Sequence, residues 1–228
     1  TDAVQAVGKL PVNLRNSAIH MLSLSGHKLH APKGIGVLYV KRGTRYRPLL
    51  RGGHQERGRR AGTENVASIV GLGKAAELAM QHITTENTDV RTMRDRLEQG
   101  ILAAVPNCFA TGDLDCRLPN TASIAFEFIE GEAILLLLNK SGIAASSGSA
   151  CTSGSLEPSH VMLAMGIPYT AAHGTVRFSL SRYNTMEEIE RVIAELPPIV
   201  AKLRKLSPYW DDGASAKSSE GSFAPTYA

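Results

Sequence analysis

With 228 residues, 43% of them hydrophobic and 20% charged, the chain has the composition of a soluble globular protein that can bury a full core in one large or two small domains. Its longest uniformly apolar run, 133–138, is a buried helix segment at most, too short for a membrane-spanning helix, and an opening of Thr1-Asp2-Ala3-Val4 without a basic region and apolar block is not expected to be a signal peptide. The net charge of +4 comes partly from Arg57, Arg59 and Arg60 with no RNA- or DNA-binding motif beside them, and three cysteines without CxxC spacing point to a reducing, cytoplasmic setting.

Taken in order, the chain opens on Asp2-Ala3-Val4-Gln5-Ala6-Val7-Gly8-Lys9, which reads as the exit from a strand already under way, so the chain looks like a fragment. Residue by residue, Asp2 reads more readily as a solvated acid near a frayed terminus than as a functional carboxylate. An apolar run at 18–24 reads as a buried strand entering the turn Ser25-Gly26-His27-Lys28-Leu29-His30-Ala31-Pro32-Lys33-Gly34, and a strand at 36–40 leaves it. A lysine held among glycines at a strand end is either a surface lysine in a tight turn or a Schiff-base amine, and Ser25 with His27 can hold a phosphate.

A basic connector at 41–48 leads to the loop Arg51-Gly52-Gly53 to Gly62-Thr63-Glu64-Asn65, where glycines permit close anion approach ahead of a helix start. Helical spacing follows at 65–80 and 88–105, then an irregular piece at 106–119 with Cys108 and Cys116 as structural thiols. Residues 121–128 read as an alternating strand, 130–141 as an apolar helix closed by Gly142, and 143–145 as a short buried strand.

The next stretch, Ala144-Ala145-Ser146-Ser147-Gly148-Ser149-Ala150-Cys151-Thr152-Ser153, surrounds one thiol with small residues for a dozen positions. That suits either an exposed loop delivering a thiolate or a bland Gly/Ser linker with an incidental cysteine. A brief helix at 158–165 follows, with His160 and His173 carrying no motif. A strand from Thr175 holds Arg177 inside it. Thr185 and Glu188 form a capping box for a last helix, expected to break at Pro197-Pro198 and resume to Leu206. The residues from 207 on read as a disordered tail.

Three of these segments, in this order, resemble the cysteine desulfurases of the aspartate-aminotransferase superfamily. Ser25-x-His27-Lys28-x-x-x-Pro32-Lys33-Gly34 resembles their cofactor-lysine motif, and Asp2-Ala3-x-Gln5-x-x-Gly8-Lys9 their pyridine-contacting segment. Ser146-Ser147-Gly148-Ser149-Ala150-Cys151-Thr152-Ser153 resembles the active-site loop of their long-loop class. His30-Ala31-Pro32, the segment 58–65 and the segment 126–132 are most similar to the nitrogen-fixation (NifS-type) branch, with the housekeeping iron–sulfur branch close behind.

The resemblance implies an α/β protein of fold type I. Residues 1–82 would be the end of the mixed sheet of a pyridoxal-phosphate-binding large domain, 83–206 a small α+β C-terminal domain with the cysteine loop at 144–159, and 207–228 a tail. It implies pyridoxal 5'-phosphate held by Asp2 at the ring nitrogen, Gln5 at the phenolic oxygen, and Ser25, Gly26 and His27 around Lys28, its covalent anchor. Thr63 would reach the phosphate in the partner subunit of a homodimer. L-cysteine would be gripped at its carboxylate by Arg177 and give L-alanine, leaving a persulfide on Cys151 for an iron–sulfur scaffold protein. A transient [2Fe-2S] contact through Cys151 is also implied, and neither nucleic acid nor membrane is a partner. The family carries a ring-stacking aromatic or His and a phosphate-binding Gly-Thr turn before the position of Asp2, which this sequence does not contain. A selenocysteine lyase, another class-V aminotransferase and a non-enzymatic sulfur-relay module are the alternatives.

Overall fold

Strands β1 (Met21–Ser25) and β2 (Gly36–Val40) form an antiparallel hairpin in register from Met21 opposite Val40 to Ser25 opposite Gly36. Its ten-residue connection is kept short in space by a one-turn 3₁₀ helix, Gly26–Leu29, which ends at His30 in the left-handed region. The computed structural model describes residues 1–147 and 158–210, and the chain divides into two units, Thr1–Asn87 and Thr88–Ala228. The hairpin is the framework of the first. Residues 1–3 run beside β1 in parallel, with Ala3 N–H donating to the Ser23 carbonyl at 2.9 Å and Ser23 N–H to the Thr1 carbonyl at 3.0 Å.

After the hairpin come a single turn α1 (Gln55–Gly58), the long helix α2 (Val66–Gln81) and the short α3 (Ile83–Asn87). The Asn65 side chain caps α2 by accepting from Ser68 N–H at 3.2 Å, which satisfies one of the free donors of the first turn. Helical periodicity then places Leu72, Ala75 and Ala79 on one face, where they bury against Leu29, Val7, Leu24, Ala31 and Ile35. Behind α2, Lys9 and the buried Glu86 form an ion pair at 2.9 Å, and Asn87 Nδ2 donates to the Lys9 carbonyl at 2.7 Å. Neither α3 nor this clasp is evident in the sequence.

The second unit is a four-stranded antiparallel sheet of order β3-β4-β6-β5. Its strands are β3 (Cys108–Ala110), β4 (Thr121–Phe126), β5 (Ser146–Ser147) and β6 (Thr175–Ser179). Helices α4 (Asp89–Ala104), α5 (Gly131–Lys140) and α8 (Met186–Leu206) share one buried cluster with the sheet, while α6 (His160–Ala164) and α7 (Tyr169–Ala172) are single turns before β6. The period-2 pattern of β4 turns Ala122 and Ile124 inward, and Val176 and Phe178 join them from β6. From the helices, Val90, Met93, Leu97 and Ile101 of α4, Ile134 and Leu138 of α5, and Ile189, Leu196 and Val200 of α8 complete the core. Helix α5 ends in a Schellman closure: Gly142 N–H donates to Asn139 O at 3.0 Å and Ile143 N–H to Leu138 O at 3.0 Å, with Gly142 at φ 73°. The expected capping box at Thr185 and Glu188 is made in both directions.

Three expectations are corrected. The segment 106–119 is not wholly irregular, because Cys108–Ala110 pairs with the edge of β4. The short strand expected at 143–145 lies instead at Ser146–Ser147, where the register with Arg177 and Val176 supplies partners. Helix α8 runs through Pro197-Pro198 without a break. The prolines lack two N–H donors, but Leu196 and Val200 on either side are buried in the core, and their burial outweighs the loss.

The last turn of α8 is fastened by Arg204, which is 3% exposed. Its guanidinium donates to the carbonyls of Pro106 at 2.6 Å, Asn107 at 2.7 Å and Glu127 at 3.4 Å, and lies 4.3 Å from the Trp210 ring centroid. Burial pushes its pKa down from the ordinary arginine value, a cost offset by the carbonyl dipoles and the aromatic face. We expect Arg204→Ala to lower the unfolding free energy by about 3 kcal/mol, since it strands buried carbonyls. Urea denaturation followed by the fluorescence of Trp210, the single tryptophan of the chain, checks this, and an unchanged midpoint would contradict it.

Candidate functional site

Lys28 stands exposed in the 3₁₀ turn between β1 and β2. What holds it there is the absence of side chains beneath it. Gly26 N–H donates to the Ile35 carbonyl at 2.9 Å, and a Cβ on Gly26 would lie 2.7 Å from Ile35 Cγ2 and 3.2 Å from Ala31 Cβ. At the start of β2, a Cβ on Gly36 would lie 2.9 Å from the Leu24 carbonyl oxygen. The following Leu29 is 6% exposed and anchors the turn in the cluster with α2. The neighbouring exposed His27 takes part in a hydrogen bond between its Nδ1 and Ser25 Oγ at 2.7 Å, so the two phosphate candidates form one unit.

Asp2 reaches the same region through its parallel bridge to Ser23. Its Oδ1 accepts from Val4 N–H at 2.8 Å, which fixes the carboxylate in a turn and leaves Oδ2 without a hydrogen bond or ion pair among the described residues. Gln5 is exposed in that turn. The turn is seated on the lysine's own support: Gly8, at φ +80°, lets Leu29 Cδ2 come within 2.5 Å of where a Cβ would stand. The structure thus gathers Asp2, Ser25, Gly26, His27 and Lys28 around one end of the hairpin. Thr63 is exposed two positions before the Asn65 cap of α2, and no hydrogen bond joins it to the Lys28 turn. A cavity of about 670 Å³ lined by Asn13, Arg15, Tyr39, Lys41 and Met80, among others, contains none of these residues, and its mixed lining offers no chemistry related to them.

Arg177 belongs to the second unit. It is exposed on β6, opposite Ser123 of β4 on one side and Ser146 of β5 on the other. Its guanidinium makes no hydrogen bond or ion pair among the described residues, unlike Arg94, Arg96 and Arg117, each of which meets a carboxylate. Cys151 lies outside the described residues, as does the expected tail beyond Trp210.

The remaining thiols differ in chemistry. Cys108 donates to the Val105 carbonyl at 3.1 Å, and burial raises its pKa to about 11 against the opposing pull of Arg204. Cys116 is exposed, with its N–H donating to Asp113 Oδ1 at 2.6 Å. Sequence reasoning did not find the Gly8–Leu29 seat, for which a Gly-Lys pair after an apolar turn is the only local signal. Nor did it find the hydroxyls around Arg177, although the alternation of Thr121-Ala122-Ser123-Ile124 already turns Ser123 outward.

Pyridoxal phosphate fits these residues: an unobstructed amine on a rigid glycine-lined turn, a coupled hydroxyl and imidazole beside it, and a carboxylate fixed on the adjoining segment. Residues 1–192 match the family model of the class-V aminotransferases. The chain belongs to that family.

Among its relatives, it is 75% identical over 227 residues to the cysteine desulfurase NifS of Azotobacter vinelandii, covering 100% of this chain and 56% of that protein. A solved NifS-like protein is 36% identical with a TM-score of 0.79, over 89% of this chain and 52% of the other. The structure of SspA in complex with cysteine is 34% identical with a TM-score of 0.61, over 81% and 50% respectively. The chain spans about half the length of the proteins it matches.

Two outcomes follow from this geometry. Gly8→Ala forces both a disfavoured φ and a collision with Leu29, so we expect a loss of about 2 kcal/mol in stability together with weaker cofactor retention in the complete enzyme. Thermal unfolding and cofactor absorbance after dialysis measure the two, and wild-type values for both would contradict the seat. Cys108 has a thiol pKa of about 11, so its thiolate fraction should rise about tenfold per pH unit below that value. Alkylation followed by peptide mapping should find Cys108 nearly silent at pH 8 and increasingly labelled toward pH 10, and full labelling at pH 8 would show that burial does not protect it.

Proposed function

We propose that this chain works as part of a cysteine desulfurase of the nitrogen-fixation type, which converts L-cysteine to L-alanine and leaves the sulfur as a persulfide on Cys151. The observation that carries the proposal is the exposed Lys28 on a braced turn, with the Ser25–His27 pair and the Asp2 segment beside it. Its 75% identity to a cysteine desulfurase and the cysteine bound to SspA, a structural relative, support the choice of substrate. Bound pyridoxal phosphate would supply an electron sink for the substrate Cα.

The work of the chain's own residues follows from their chemistry. Lys28 Nζ is the covalent anchor and, once displaced by substrate, takes the proton from Cα. Asp2 keeps the proton on the ring nitrogen by presenting a carboxylate to it. Ser25 and His27 hold phosphate oxygens, Gly26 lets the backbone come close, and Gln5 donates to the phenolic oxygen. Thr63 contributes to the phosphate site of the other subunit in a homodimer.

Arg177 grips the substrate carboxylate through parallel hydrogen bonds. The Cys151 thiolate then attacks the substrate sulfur. A sulfur–sulfur bond forms as the Cβ–S bond breaks, and Cβ gains a proton to become the methyl group of alanine. Ser146 of β5, on the approach to Cys151 in the sequence, is in register with Arg177, which supports a role for the two in one site. The persulfide is passed to an iron–sulfur scaffold in the cytoplasm, with a transient [2Fe-2S] contact at Cys151. Among the described residues, no helix is long and apolar enough to cross a membrane.

Labelled sulfur from L-cysteine should remain on the complete enzyme through denaturation without reductant. In Cys151→Ala the label and the alanine should both disappear while the cofactor stays bound. In Lys28→Ala borohydride should no longer fix the cofactor to the protein. Persistent label in Cys151→Ala, or covalent fixation in Lys28→Ala, would overturn the corresponding assignment.

A further inference from the structure

On the sheet face opposite α4, α5 and α8, Arg177 stands in a row that crosses three strands and continues to Thr111. Thr111, just beyond β3, precedes Ser123 of β4, then Arg177 of β6 and Ser146 of β5. Directly paired residues project from the same face with Cβ atoms about 5 Å apart. The side chain of Ser123 therefore emerges next to that of Arg177.

The hydroxyl of Ser123 is not free to turn at random. Thr111 Oγ1 lies 2.7 Å from Ser123 Oγ and 3.3 Å from the Ser123 carbonyl oxygen, and Thr111 N–H donates to the same carbonyl at 2.8 Å. The two hydroxyls can be turned either way: with Thr111 donating to the Ser123 carbonyl, Ser123 donates to Thr111, and with Thr111 donating to Ser123 Oγ, the Ser123 proton is available to an anion beside Arg177. Arg177 cannot take it, because a guanidinium has donors only. Two donors thus stand side by side, and no carboxylate among the described residues answers either of them.

We infer that Ser123 is a second anchor for the substrate carboxylate, with Thr111 as the positioning residue that sets its hydroxyl. The inference rests on the reading that Arg177 binds that carboxylate. Arg177 supplies charge and a pair of N–H donors, while Ser123 O–H donates to an oxygen lone pair that the planar guanidinium leaves unfilled. A site built this way discriminates amino acids from amines that lack the carboxylate, because removing the anion leaves both donors unsatisfied.

The test uses the complete, pyridoxal-phosphate-loaded enzyme and two probes, L-cysteine and cysteamine, each titrated against the cofactor absorbance. Ser123→Ala should raise the L-cysteine dissociation constant about tenfold and shift cysteamine binding by less than about twofold. Thr111→Val should act in the same direction to a smaller extent, and Ser123→Thr should restore most of the affinity. In steady-state kinetics the change should fall on KM and leave kcat largely intact.

Equal weakening of both probes by Ser123→Ala would mark a structural role and overturn the inference. So would unchanged cysteine binding in Ser123→Ala while Arg177→Ala weakens it, an outcome that leaves the Arg177 reading standing. If Arg177→Ala also binds cysteine normally, the carboxylate reading itself fails and the inference falls with it.

Discussion

The geometry of the first unit depends on the contact between Gly8 and Leu29. A lysine can be presented to a cofactor at a fixed position only if its turn is braced from behind, and Leu29 is that brace, buried among Leu72, Ala75 and Ala79. Because Gly8 has no Cβ, the segment carrying Asp2 settles on the same leucine. One apolar cluster therefore sets the position of both the amine and the carboxylate, and a shift of α2 would displace them together rather than apart. The Lys9–Glu86 ion pair ties the far end of the segment to α3. A buried ion pair of this kind adds little net stability over an apolar substitute, but losing one partner would strand a charge, so it holds the segment in one place.

The second unit covers the two faces of its sheet unequally. The main core lies where α4, α5 and α8 cover the inward residues of β4 and β6, while on the other face the Ala125–Thr175 end is buried beside α7 and Arg177 is exposed. Covering a single face this well lets the outer face carry small polar side chains around Arg177 without loss of packing. Long-range polar fasteners complete the arrangement: Arg96 grips Glu190 through two contacts of 2.6 Å between α4 and α8, and Arg117 grips Glu98 at 2.6 and 2.8 Å. Each of those arginines has its acid. Arg177 on the outer face has no carboxylate partner among the described residues, so its guanidinium has no acid to give up.

Much of this was legible in the sequence because local rules agree with the final structure. The hairpin around Lys28, the Gly142 closure of α5 and the Thr185–Glu188 capping box all arise within a few residues and appear as expected. The failures come from longer range. Pro197 and Pro198 forbid a helix locally, yet Leu196 and Val200 carry α8 through them by burial that only the folded sheet provides. Strands β3 and β5 contain three and two residues, too few to show a period, and exist because β4 and β6 offer edges. Asp2, Lys28 and Arg177 stood out through a resemblance to family motifs, whereas the contacts of Gly8 with Leu29 and of Thr111 with Ser123 did not, since they join residues far apart in sequence.

Burial sets the chemistry of the described thiols. Partly buried Cys108 donates to the Val105 carbonyl, and desolvation suppresses its ionisation even though Arg204 is near enough to favour the thiolate. Desolvation thus outweighs the neighbouring positive charge, and the same burial that closes the core removes a competing nucleophile. On the approach to Cys151 in the sequence, by contrast, Ser146 is in register with the exposed Arg177.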